Sequence, residues 1–247
     1  PANIASGDLL LVFFSSDGAS TITFPEGWTQ LFQTENGTYV TFGAWYRIAD
    51  GEEGATITVT TSTSEMTAHT SYRIIGYSGT PEIGTATTGI NGFSDPPSLT
   101  PTWGALDTLW LAIEGHDYHQ DVLDYPVNYT DGRCDYASSN GGCGVATARR
   151  ELNAISEDPS SFYMSADQWV ANTVAIKPEE GVPPAYYHGL KVQGVGELAL
   201  CDAGVNPLRI RKGGVTYGVE LVETSDPNAS KIRIKTPAGI KAIRKYT

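Results

Sequence analysis

Turn signals recur at short intervals along the first part of this chain: Asp17-Gly18, Pro25-Glu26-Gly27, Asn36-Gly37, Asp50-Gly51 and Ser78-Gly79. Between them lie runs rich in Thr, Val, Ile, Tyr, Phe and Trp. Gly, Asn and Asp supply the backbone conformations that tight reversals need, while β-branched and aromatic residues suit a pleated, half-buried surface. No convincing amphipathic helix shows in the pattern. The spacing predicts strands over 8–14, 21–24, 29–33, 39–48, 55–61, 66–77, 108–114, 144–152 and 169–176. In Thr56-Ile57-Thr58-Val59-Thr60, apolar and hydroxyl residues alternate, as a strand with two unlike faces requires. The aromatic-rich run from Tyr39 to Ile48 reads as a central strand. Short strands at regular spacing predict an all-β fold, an antiparallel β-sandwich or jelly-roll-like domain.

At 247 residues with 40% hydrophobic content, the chain can bury a substantial core. Its 27 Gly and 14 Pro follow no period, which excludes a collagen or a solenoid. The longest apolar run, Leu9 to Phe14, is strand-sized and far short of the roughly 18 residues of a membrane helix. No basic stretch followed by an apolar one marks a signal peptide. The chain opens on Pro1 and enters a strand almost at once, which favours a further segment upstream.

Charge is divided along the chain. Residues 1–180 hold 6 Lys+Arg against 23 Asp+Glu, a net of −17, and residues 181–247 hold 10 against 5, a net of +5. The sign changes at Pro178-Glu179-Glu180-Gly181-Val182-Pro183-Pro184, whose composition makes a stiff, solvated linker. The expected organisation is an acidic sandwich over 1–178, a linker over 179–186 and a small basic β module over 187–247. A module of that size buries little core, so it favours a partner or an oligomer. Lys231, Arg233 and Lys235 alternate with Ile232 and Ile234, and Lys241, Arg244 and Lys245 extend the basic stripe. Stacking aromatics do not interleave it, which argues against nucleic acid and for docking onto an acidic protein surface.

Two long irregular stretches, 90–101 and 116–144, stand where recognition loops usually stand on a β scaffold. The second contains His116, Asp117, His119, Asp121 and Asp124, whose side chains are of the types that hold Ca²⁺ or a transition metal. Their spacing matches neither an EF-hand nor a His-Glu-x-x-His helix, and a polar loop at a strand end is the preferred reading, so no cofactor is expected, with Ca²⁺ the one candidate. Cys134 and Cys143 flank a turn-rich stretch that a disulfide would staple, worth roughly 2–4 kcal/mol, with two free thiols the alternative. Cys201 reads as a small buried hydrophobe.

Catalytic signatures are absent. Gly76-Tyr77-Ser78-Gly79 continues into Thr80, so it is not a nucleophile elbow, and none of the four His pairs with a Ser or Cys. A pair of converging carboxylates is not marked out among the 23 acids of residues 1–180. Trp45, Trp110 and Trp169 read as core, whereas Trp28 and Trp103 sit in turn-like contexts where a sugar could stack. Arg149 and Arg150 are adjacent in a strand and so point to opposite faces; an acidic partner within the domain is the preferred reading over one on a neighbouring subunit.

The segments Ala5-Ser6-Gly7-Asp8-Leu9-Leu10-Leu11-Val12, Pro25-Glu26-Gly27-Trp28, Tyr46-Arg47-Ile48-Ala49-Asp50-Gly51 and Ile57-Thr58-Val59 resemble a β-sandwich of bacteriophage structural proteins. Trp110-Leu111-Ala112 and Trp169-Val170-Ala171 continue the resemblance. Gly189-Leu190-Lys191-Val192-Gln193-Gly194 and Arg211-Lys212-Gly213-Gly214-Val215-Thr216-Tyr217-Gly218 are similar to small β modules encoded in tailed-phage genomes. The resemblance implies a non-enzymatic structural protein on a virion surface, in a head decoration or a tail fibre. It implies other virion proteins as partners, a homo-oligomer and no membrane contact. The alternative is a carbohydrate-binding adhesin that meets a host glycan through the sandwich loops.

Overall fold

The computed structural model describes residues 3–138 and 141–179, and the backbone of four strands between residues 209 and 242. The chain divides into two compact units, Pro1–Glu180 and Gly181–Thr247. The first is an all-β sandwich. Its opening strands are β1 (Leu9–Asp17), β2 (Ile22–Thr23), β3 (Thr29–Asn36), β4 (Val40–Ile48), β5 (Thr60–Thr61) and β6 (Thr67–Ile74). Then come β7 (Glu82–Ile83), β8 (Thr87–Gly89), β9 (Phe93–Ser94) and β10 (Leu106–Asp117). The last are β11 (Thr130–Tyr136), β12 (Cys143–Ala154), β13 (Phe162–Tyr163) and β14 (Trp169–Ile176).

One sheet runs β3-β4-β1-β6 and the other β11-β12-β10-β14-β7, with β8 also on β14, all antiparallel. The period-two alternation of each strand decides what lies between the sheets. Leu9, Leu11 and Phe13 of β1 and Val40, Phe42 and Ala44 of β4 pack with Leu111, Ile113, Val145, Val170 and Val174 from the second sheet. Each of the Val, Leu, Ile and Phe side chains among them, removed from water, contributes about 1.5–3 kcal/mol.

The central strands are buried on their outer faces too. Val12 and Phe14 of β1 pack with Trp45 and Ile22 beneath a flap made by the short ladder Ile22↔Thr61, Thr23↔Thr60. Trp110 of β10 and Ala175 of β14 lie under Leu99, while Ala112, Ala146 and Ala148 lie under Val122 and Phe162. The small ladder Phe162↔Ser94, Tyr163↔Phe93 and the bridge Asp124↔Tyr163 tie the two long irregular stretches together over this face.

Two expectations change. The alternation over 55–61 does not make a strand: only Thr60–Thr61 pairs, and Ile57 is exposed. That segment lacks a neighbour to hydrogen-bond with and instead drapes over the first sheet. Conversely, Thr130–Tyr136 forms an edge strand on β12 inside the stretch read as a loop. Its side chains are mostly exposed, so it carries no apolar period to read.

In the second unit β15 (Arg209–Lys212), β16 (Val215–Glu220), β17 (Arg233–Thr236) and β18 (Gly239–Ala242) form an antiparallel meander. The division between units, at Glu180/Gly181, falls within residues 179–186, and Glu179 at their start still bonds to the sandwich. Pro178 bridges Tyr77, and the Glu179 N–H donates to the Gly76 carbonyl at 2.9 Å.

Candidate functional site

The five metal-type residues of 116–124 do not converge. β10 continues to Asp117, which draws His116 into the sheet rather than leaving it in a loop. His116 is fully buried; its Nδ1 lies 2.8 Å from Glu114 Oε1, and its Nε2 lies 3.1 Å from the Gln120 carbonyl. Glu114, two residues back on the same face, is fully buried as well, and its Oε2 has no partner among the described residues. Burial of the ring opposes its charge, but the Glu114 carboxylate and its hydrogen bond outweigh that and raise the His116 pKa above the usual imidazole value. The pair needs Gly144 opposite: a Cβ there would come within 2.1 Å of His116 Nε2.

Asp117 turns toward Asp17 and Asp167. Its partial burial, and then the charges of Asp167 and Asp17, lift it to about 6. Asp17 is raised too, by burial and by Glu65. Tyr118 takes a left-handed backbone with φ 68°, and its exposed ring lies tilted against His119, centroids 4.3 Å apart. Asp121 and Asp124 are exposed; the Asp124 carboxylate accepts the Tyr125 N–H at 3.0 Å. Among the described residues no group of three His, Cys, Asp or Glu side chains is placed to hold a metal.

The staple between Cys134 and Cys143 does not form; both thiols are free. Cys134 sits opposite Ala146 and packs on the outer face of the second sheet, whereas Cys143 lies between the sheets. A strand's alternation sends them to opposite sides of one layer, beyond the reach of a disulfide. Burial pushes the thiols up to about 12 and about 11, which removes their nucleophilic form at neutral pH.

Arg149 and Arg150 both find partners within the sandwich. Arg149 pairs with Asp131, and Arg150 Nη1 lies 2.9 Å from Glu157 Oε1, which also accepts the Tyr129 hydroxyl at 3.3 Å. Trp103 packs beside Trp110 and its Nε1–H donates to Thr108 Oγ1 at 3.0 Å. Trp28 lies on the first sheet, among the residues over Val12 and Phe14, so neither tryptophan packs against the His116 side chain. Of the basic stripe, Arg233 and Lys235 lie in β17, and Lys241 of β18 is opposite Ile234, out of register with them. Lys231, Arg244 and Lys245 lie outside the described residues, as does Cys201.

The sandwich unit also carries a recess that the sequence did not mark. A cleft of about 880 Å³ opens on the outer face of the first sheet, between that sheet and the flap. Leu10, Val12 and Phe14 form its floor, Phe24 and Trp28 one wall, and the segment 53–59 another. His69 lies on the Phe14 ring, centroids 6.4 Å apart and planes 20° apart. Phe24 stacks on Trp45 at 4.5 Å and leans on Trp28 at 5.4 Å. One signal could have found it: the run Leu9 to Phe14 is apolar on both faces, so something must cover its outer side. Comparison with protein-family models, curated proteins and solved structures gives no match for this chain.

Proposed function

We propose that this chain is a non-enzymatic structural protein of a bacteriophage virion, displayed on the particle surface. The acidic sandwich faces solvent, and the basic C-terminal unit attaches it to the head lattice or the tail, as one subunit of a symmetric oligomer. The observation that carries the reading is the coincidence of two divisions: the chain separates into units at residue 180, and its charge changes sign there, from −17 to +5. Strong negative charge keeps a displayed domain soluble, and opposite charge on the other unit favours docking on an acidic partner. The virion itself enters through the sequence resemblance. A co-sedimentation experiment tests attachment: the purified chain is added to particles that lack it. Binding is expected, and replacing Lys231, Arg233, Lys235, Lys241, Arg244 and Lys245 with Gln weakens it at least tenfold. Equal binding by the variant, or none by the natural chain, overturns the anchoring role.

The alternative, an adhesin that holds a host glycan on the sandwich loops, has one observation in favour. Phe93 of the stretch 90–101 pairs with Tyr163 of β13, 5.2 Å between centroids and both exposed, and Tyr163 in turn bridges Asp124 of the stretch 116–144. Trp28 and Trp103, the residues expected to stack a sugar there, are elsewhere. A glycan array probed with the natural chain and with Phe93→Ala separates the two readings: loop-dependent binding favours the adhesin.

A further inference from the structure

We propose that the cleft between the first sheet and its flap is a binding site for a neutral saccharide. Its volume of about 880 Å³ lies within the range of small-ligand sites. Its shape is fixed without a ligand. The floor belongs to a sheet, and the flap is pinned by the Ile22↔Thr61 ladder, by Ser20 Oγ to Thr63 Oγ1 at 2.6 Å, and by Ile22 N–H to Gln33 Oε1 at 3.0 Å.

The lining combines two chemistries that a sugar also combines. Phe14, Phe24, Trp28 and the exposed His69 ring offer aromatic surface, which the slightly positive C–H face of a pyranose complements. Around them the side chains of Glu26, Thr58, Glu65, Thr67 and Ser71 make no hydrogen bond to any described residue. The fold therefore leaves both acceptors and hydroxyls directed at solvent beside an apolar floor. Hydroxyl groups of a ligand satisfy such acceptors at low cost, because both partners exchange water bonds for each other.

Charge selects among small ligands. Arg47 is the single Lys or Arg in the lining, and it is held by Asp50 Oδ2 at 2.6 Å and Glu53 Oε1 at 3.4 Å. No uncommitted cation waits for a phosphate, sulfate or sialic carboxylate, and the −17 charge of residues 1–180 repels anions further. Five Thr or Ser hydroxyls, at Thr56, Thr58, Thr61, Thr67 and Ser71, favour a polyol over a simple ammonium ion.

The inference stands apart from the virion reading, since it concerns the purified chain alone. Saturation-transfer NMR and calorimetry on the full chain, with a panel of neutral, anionic and amine-bearing oligosaccharides, test it. Binding of neutral members is expected. Ser71→Trp, which fills the cleft, and His69→Ala, at an exposed position, each weaken it at least tenfold, while Glu35→Gln on β3 leaves it unchanged. Thermal midpoints report whether each variant folds, and His69→Ala decides the matter should Ser71→Trp unfold. Unchanged affinity in His69→Ala overturns the location. Binding confined to anionic or amine ligands overturns the class, and no neutral binding at millimolar ligand overturns the site.

Discussion

Gly144 is where a single atom matters most. It faces His116 across the β10–β12 ladder, and a methyl group there would meet the imidazole at 2.1 Å. Gly144→Ala is expected to cost about 1–3 kcal/mol in urea denaturation through overpacking, with binding properties intact. Two titrating groups nearby give stability a direction with pH. His116 has a raised pKa in the fold, so its contribution is complete below the unfolded value near 6.5 and is lost as pH rises through the folded value. Asp117 is raised from 3.8 to about 6, so the folded chain holds that proton more tightly. Stability from it is complete below about pH 4 and falls as pH climbs toward 6. Both signs agree: the thermal midpoint falls from pH 4 to pH 8. Asp117→Asn removes the lower part of the slope and gains about 1 kcal/mol at pH 8, a figure reduced for a partly solvated carboxylate. A midpoint that rises with pH over this range contradicts the assignment.

Among elements, β11 and β12 pair along the same edge of the second sheet with opposite burial. β12 is an unbroken run of small, buried residues from Cys143 to Ala148, and its interior position follows from that burial on both faces. β11 lies at the sheet edge with Asp, Gly and Arg facing water, held by backbone bonds that leave no trace in residue type. That is why the central strands were legible while β11 was taken for a loop, and why a nearby pair of cysteines suggested a staple. Sequence distance is not strand face. Non-reducing peptide mapping is expected to find Cys134 and Cys143 as free thiols, and reductant to leave the melting midpoint unchanged. The tie between β12 and the irregular cover is the Arg150–Glu157 pair with Tyr129. The acidic partner of one adjacent arginine was foreseeable from alternation; its identity was not, because Glu157 arrives from a segment with no period. Glu157→Ala leaves Arg150 and the Tyr129 hydroxyl without it and is expected to cost about 1–3 kcal/mol by denaturation. The cleft was hidden for a related reason: Phe14, Trp28 and His69 come from three separate segments, and only the sheet gathers them.

At the scale of the molecule, the division into an acidic sandwich and a basic meander-bearing unit was written in the charge order along the chain. Long-range Coulomb attraction of this kind is screened within about 10 Å at 0.1 M salt. Attachment to particles is therefore expected to weaken as salt rises from 0.05 to 0.5 M, read by sedimentation as a tenfold or greater loss; a salt-independent attachment would place its basis in apolar contacts instead. Among the described residues, the sandwich buries its core between the sheets and carries its cleft on the outer face of the first. Display by one unit and attachment by the other is the proposal that an image of the native particle, at a resolution that traces the chain, puts to the test. Many symmetric copies on the surface are expected, with the sandwich outward and residues 187–247 against the lattice. Particles without the chain, or copies attached through the sandwich with 187–247 in solvent, contradict it.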